Sequence, residues 1–266
     1  MQNNETLKVL FIGDIVGKSG RQIIKTLLPK LIEKYNIELV IANGENAAGG
    51  FGLTEKVATE LFSYGIEIIT TGNHVWDKKE AIPYIAKESR ILRPINYPEG
   101  VPGIGSNILR TKKNKLVGII NASGRIFMNT LDCPFRVTKK EVERIKNQTN
   151  LILIDFHAEA TSEKIAFAMY LDGKVSAVIG THTHVQTADE KILPKGTAYI
   201  TDVGMTGPEY SIIGFKEDEI IEKFLYQLPK KFEVSAKPSI LSAVYLEIDA
   251  NSGKAQKIER IMLRQN

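Results

Sequence analysis

Short apolar runs recur along the chain, each closed by a glycine or a polar residue, and helix-spaced apolar rows separate most of them. Lys8-Val-Leu-Phe-Ile12 comes first, closed by Gly13-Asp14, and Ile37–Ala42, Ile66–Thr71, Leu151–Ile154 and Val175–Ile179 repeat the arrangement. Runs of this length predict buried strands. Ile23, Leu27 and Leu31, with Ile24, Leu28 and Ile32, fall four apart and predict one apolar helix face. Pro29 lies inside that pattern, so a kink or break is expected there. Further helices are predicted at about Thr54–Ser63 with Thr54 as N-cap, Lys78–Lys87 with an irregularity at Pro83, Lys139–Lys146, Ser162–Tyr170 and Glu217–Leu228. Strand and helix alternate, which predicts a parallel sheet covered by helices.

The rhythm changes from Leu92 to about Arg136. Pro94, Pro98 and Pro102, with Gly100, Gly103 and Gly105, mark turns. Ser106–Arg110 and Lys115–Ile120 pattern as a hairpin, and Ile126–Arg136 reads as a loop-like insertion that could rim or cap a site. After Gly196 the chain reads as β-rich. Thr197–Asp202 is a strand, and Ile240–Ile248 and Ala255–Leu263 alternate as an antiparallel hairpin about Asn251-Ser-Gly253. The expectation is one α/β domain over residues 1–266 with a small insertion around 92–136. Its two packed sheets would be mostly parallel in the first and mixed in the second.

Composition narrows the setting. The chain has 266 residues, 43% hydrophobic and 25% charged, with a net charge of +4. No long block of like charge is present, so a nucleic-acid arm is not indicated; Lys112-Lys-Asn-Lys115 and Lys230-Lys231 read as solvated turns. A single cysteine, Cys133, excludes an internal disulfide and fits a reducing compartment. The polar start Met1–Lys8 does not read as a signal peptide, and no apolar stretch nears the ~18–20 residues that span a bilayer. A cytoplasmic protein is expected.

The four histidines then change the picture, because all of them follow strand-like runs. They are His74, His157 and the pair in Gly180-Thr-His182-Thr-His184. Other polar residues close the same runs: Asp14, Glu45 with Asn46, and Asn73. In open α/β sheets ligands bind beyond the carboxyl ends of the strands, so these groups should meet in one crevice. Taken singly, a Gly-Asp or an Asn-His after a strand is more often a turn or a satisfied polar pair. Together they exceed the needs of one ion. They suit two, ~3.5–4 Å apart, sharing a carboxylate. Oxygen and nitrogen donors without a thiolate favour iron, manganese or zinc over magnesium or calcium.

The motifs Phe11-Ile-Gly-Asp-Ile-Val-Gly17, Asn43-Gly-Glu-Asn-Ala-Ala48, Thr71-Gly-Asn-His-Val-Trp-Asp77, Asp155-Phe-His-Ala-Glu159 and Gly180-Thr-His-Thr-His184 resemble those of the calcineurin-like metallophosphoesterases, and more narrowly the bacterial YmdB-type branch. The likeness runs from about Lys8 to Arg264. It implies a four-layer αββα sandwich and two metal ions, iron with manganese as the alternative. One ion would take Asp14, Glu45, Asn46 and His184; the other would take Glu45, Asn73, His157 and His182, with Glu45 bridging. His74 would act as general acid. Two departures from the wider superfamily stand out: Val16 replaces the histidine of Asp-x-His, and Glu45 replaces a bridging Asp.

The implied activity is hydrolysis of a small phosphodiester, a cyclic nucleotide of the 2′,3′- or 3′,5′-cyclic AMP class, by hydroxide held between the metals. A phosphomonoesterase or nuclease on the same fold, and a non-enzymatic metal-containing regulator that binds a nucleotide, remain as alternatives. No membrane or long nucleic acid is expected as a partner, and a homo-oligomer is left open. Asp155, Glu159, Asp189 and Asp202 are candidates to orient imidazoles, set against capping and surface charge. Trp76 and Asp77 are expected to pack and cap the next helix. Gly49-Gly50-Phe-Gly52 is read as letting backbone pass near the metals.

Overall fold

The structure, a computed structural model, describes residues 6–265. Its strands are β1 (Thr6–Ile12), β2 (Asp14–Ile15), β3 (Leu39–Asn43), β4 (Ile68–Thr70), β5 (Ile91–Leu92), β6 (Ser106–Arg110), β7 (Leu116–Ser123), β8 (Ile152–His157), β9 (Ala177–Thr181), β10 (Lys191–Ile192), β11 (Ala198–Ile200), β12 (Met205–Pro208), β13 (Ser239–Asp249) and β14 (Ala255–Arg264). Its helices are α1 (Gly17–Tyr35), α2 (Glu55–Ser63), α3 (Ile82–Ile85), α4 (Pro134–Lys146), α5 (Thr161–Leu171) and α6 (Glu217–Tyr226).

The first sheet runs β2-β12-β13-β1-β3-β4-β5, with β14 on the far edge of β13; the second runs β10-β11-β9-β8-β7-β6. Successive strand residues face opposite sides, and here both sides are dry. In β1, Leu10 and Ile12 pack under the helices, whereas Leu7, Val9 and Phe11 pack between the sheets. In β8, Ile152, Ile154 and Phe156 face the second helical layer, and Leu153, with Leu151 just before the strand, joins the same inter-sheet core. This is why the strands are apolar throughout instead of alternating. The α/β class, with two packed sheets flanked by helices, is the one the sequence leads to.

Several details depart from the sequence reading. The C-terminal hairpin joins the first sheet, where β13 lies antiparallel to β1 with Leu10 opposite Tyr245, so both sheets are mixed. Its alternation serves two cores: Leu241, Ala243 and Tyr245 face the helices, and Val244, Leu246 and Ile248 face the second sheet. Helix α1 runs unbroken through Pro29, because Pro29 and Lys25, whose carbonyl loses its donor, are both exposed to water. Near Pro83 the expected helix shrinks to a 3₁₀ turn at Lys79–Ala81 followed by the four residues of α3. Helix α4 begins at Pro134, well before Lys139, since proline is tolerated in a first turn. The loop-like stretch is therefore only residues 124–133, and β6 and β7 form the edge of the second sheet. Thr54 does cap α2, its hydroxyl accepting the Val57 N–H at 3.3 Å.

Strands β1, β3, β4 and β5 are mutually parallel in one sheet, and β7, β8, β9 and β11 in the other. Among the described residues no helix is long and apolar enough to cross a membrane.

Candidate metal centre

Each expected residue sits where a strand ends. Asp14 follows β1, Glu45 and Asn46 follow β3, Asn73 and His74 follow β4, His157 closes β8, and His182 and His184 follow β9. Asp14, Glu45, Asn46 and His157 are buried, and Asn73, His74, His182 and His184 are half-buried. The turn after β4 passes so close that a side chain at Gly72 would lie 2.2 Å from the His157 ring and 2.4 Å from Glu45 Oε2. Only glycine fits there.

The hydrogen-bond partners fix what each imidazole offers. Thr181 Oγ1 donates to Asp155 Oδ1 at 2.6 Å. Its single proton is thereby used, so at 2.9 Å it accepts from His157 Nδ1–H. The His157 Nε2 lone pair then points at Glu45 Oε1 (3.1 Å), Asn73 Oδ1 (3.0 Å) and His182 Nδ1 (3.0 Å). His182 Nε2 lies 2.9 Å from a Glu159 carboxylate oxygen, and its Nδ1 faces the same point as His157 Nε2, 3.0 Å away. His184 donates Nδ1–H to the Ile213 carbonyl at 2.9 Å and turns Nε2 toward Asn46 (3.1 Å) and Asp14 Oδ1 (3.9 Å). Such outer partners are the usual means of setting a ligand tautomer.

Lone pairs facing carboxylate and amide oxygens at about 3 Å repel unless positive charge lies among them. Asp14 Oδ1 is buried with no hydrogen-bond partner. The protein's own charges supply a proton: burial disfavours imidazolium at His157, but Glu45, then Asp14 and Asp155, outweigh it and lift His157 to about 9. Burial and the neighbouring His157 drop His182 to about 3. Burial raises the Glu45 carboxyl, yet His157 and His74 more than offset this and bring it to about 2. Asp14 is held well above the usual carboxylate range by burial, against the pull of His157. Metal cations answer the same demand, and the donor atoms of Glu45, His157 and His182 already lie within 4.8 Å of one another. As placed, Asn46 turns its amide NH₂ toward Glu45 (3.3 Å) and His184. A ligand role needs the amide rotated to bring Oδ1 inward.

Of the four acidic candidates, Glu159 contacts His182 directly and Asp155 reaches His157 through Thr181. Asp202 holds the backbone between His182 and His184, accepting Thr183 N–H at 2.9 Å. Asp189 ties Thr187 to Thr201 and touches no imidazole. Trp76 packs edge-on against Tyr97, but Asp77 is not a cap: it accepts His74 Nδ1–H at 2.7 Å. Val16 is buried at the start of α1. Sequence reasoning missed Asp77 as the partner of His74, although the spacing of three was visible. It also missed Thr181, the Ile213 carbonyl and the rings of Phe51, Phe215 and Phe232, which line a cleft of about 380 Å³ over the centre.

Comparison with known proteins adds an independent line. Residues 10–261 match the family described as YmdB-like protein. The chain is 50% identical over 257 residues, 97% of each chain, to the 2′,3′-cyclic-nucleotide 2′-phosphodiesterase of Bacillus subtilis (strain 168). The crystal structure of a novel phosphatase from Mycoplasma pneumoniae superposes with a TM-score of 0.93 at 39% identity, covering 98% of this chain and 95% of that one. A hypothetical protein from Thermus thermophilus gives 0.92 at 40% identity over 98% and 100% of the two chains.

Proposed function

The chain belongs to the YmdB-like protein family, and on that premise we propose that it is a metal-dependent phosphoric diester hydrolase acting on cyclic nucleotides, those of the 2′,3′ class first. The observation that carries the reading is the inward turn of His157 and His184 onto the buried carboxylates of Glu45 and Asp14, each ring held by a hydrogen bond from its other nitrogen, with His182 Nδ1 3.0 Å from His157 Nε2. Asp14, Glu45, Asn46 and His184 would hold one ion and Glu45, Asn73, His157 and His182 the other, with Glu45 shared. Iron is the proposed metal and manganese the alternative, from a nitrogen and oxygen donor set without thiolate. When bound, the cations supply Lewis acidity to the phosphoryl oxygens and make water acidic enough to attack phosphorus at neutral pH.

His74 lines the same cleft. Asp77 takes its Nδ1–H and fixes the ring, leaving Nε2 to deliver a proton to the departing ribose oxygen. Its backbone N–H donates to Glu45 Oε2 at 3.1 Å, tying the acid to the shared carboxylate. Among the described residues lining the cleft there is no lysine or arginine. A singly charged cyclic diester suits this lining better than a dianionic monoester or a nucleic-acid strand, whose extra phosphates call for basic side chains. The single cysteine supports a cytoplasmic setting.

Protein loaded with Fe²⁺ or Mn²⁺ is expected to open 2′,3′-cyclic AMP faster than 3′,5′-cyclic AMP, and chelation is expected to stop turnover. Turnover that persists in metal-free protein, or a Glu45→Gln variant at the wild-type rate, contradicts the assignment.

A further inference from the structure

The cleft over the metal centre has two unlike sides. One presents the polar groups already described. The other is an apolar wall of Phe51, Phe215, Phe232, Ile213 and Ile220, which proton transfer and metal binding leave unused. Its rings are ordered against one another. Phe51 stacks on Phe215 with centroids 5.0 Å apart and planes at 22°, and it meets His74 edge-on at 5.1 Å. Phe232 leans against Phe215 at 5.9 Å.

The backbone is shaped to hold this wall. Gly50 adopts φ +96, and a side chain there would lie 2.9 Å from the Phe215 ring. Phe215 is pinned by β-bridges to Ile212 and Val234. The carbonyl of Ile213, in the same loop, accepts the Nδ1–H of the ligand candidate His184. One loop therefore sets the distance between the wall and the place where phosphate would sit.

We propose that this wall is the subsite for the nucleobase of the substrate. The inference rests on the cyclic-nucleotide reading and extends it to how the nucleoside is held. A diester whose phosphate occupies the metal centre projects its remaining part into the same cleft, and the surface it meets is aromatic and uncharged. Base–aromatic stacking needs only a π-face, and so it tolerates any base. The wall has no amide or guanidinium to read a base edge. Its preference therefore follows stacking area, purines above pyrimidines, with adenine and guanine nearly equal.

The test compares 2′,3′-cyclic AMP with the 2′,3′-cyclic phosphate of 1-O-methylribose, which lacks the base, on metal-loaded enzyme. Wild-type protein is expected to favour the nucleotide in kcat/KM by ~10-fold or more. In Phe215→Leu that ratio is expected to fall toward one, through KM for the nucleotide. Phe51→Leu, at a half-buried loop position, is expected to do the same if the first variant folds poorly. A wild-type ratio of one, or a ratio unchanged in both variants, overturns the subsite alone. If wild-type protein hydrolyses neither ester, the phosphodiesterase reading falls and the subsite with it.

Discussion

Thr181 decides what His157 can bind. Its hydroxyl gives its only proton to Asp155, so the imidazole must donate from Nδ1 and keep the Nε2 lone pair for the centre. Replacing Thr181 by valine keeps the shape and removes the relay. Asp155 would then lose one of its three side-chain donors, the others being Thr70 and Asn43. Thr181→Val is expected to fold and to lose ~10–100-fold in metal affinity, as for other partners of ligand histidines. Competition with a colorimetric chelator measures this, and an unchanged affinity would show that the relay is idle. The ligand candidates themselves were legible in the sequence, because polar residues closing apolar runs must gather beyond the strand ends. Their partners were legible only in part. Thr181 and the Ile213 carbonyl acquire their roles only through contacts across the fold, whereas Glu159, a candidate on sequence, does lie against His182. Asp77 was misread as a cap because an acid just before a helical stretch is ordinarily one.

Among the elements, the turn after β9 is the most constrained. His182 has φ 103° and His184 φ 66°, left-handed conformations costing on the order of 1–3 kcal/mol each for residues other than glycine. A buried ion pair holds the turn in place. Lys164 of α5 donates to the Thr181 carbonyl at 2.7 Å and to Asp202 at 2.8 Å. Asp202 in turn accepts the N–H groups of Thr183 and Gly204. Lys164→Met would leave the fully buried Asp202 charge without its cation, at a cost of ~3–5 kcal/mol. Its denaturation midpoint should fall accordingly; a midpoint equal to wild type would mean the pair is dispensable. At this scale strand existence was readable, since buried strands are apolar on both faces. The placement of β13 beside β1 was not, because alternation identifies a strand's two faces but not its neighbour.

For the whole molecule, the centre is a junction between two sheets. Asp14, Glu45, Asn46 and Asn73 come from the first sheet, and His157, His182 and His184 from the second. Val9, Phe11, Leu153 and Ile179 of the inter-sheet core lie in strands that lead to these residues, so packing fixes how far apart the two groups stand. On the proposed assignment each ion would draw ligands from both sheets, with Glu45 shared between them. The most direct test is an anomalous-difference map from crystals of the iron- or manganese-loaded protein. Two peaks ~3.5–4 Å apart are expected on either side of the Glu45 carboxylate, one against Asp14, Asn46 and His184, the other against Asn73, His157 and His182. A single peak, or peaks that leave Glu45 uncoordinated, would contradict the account.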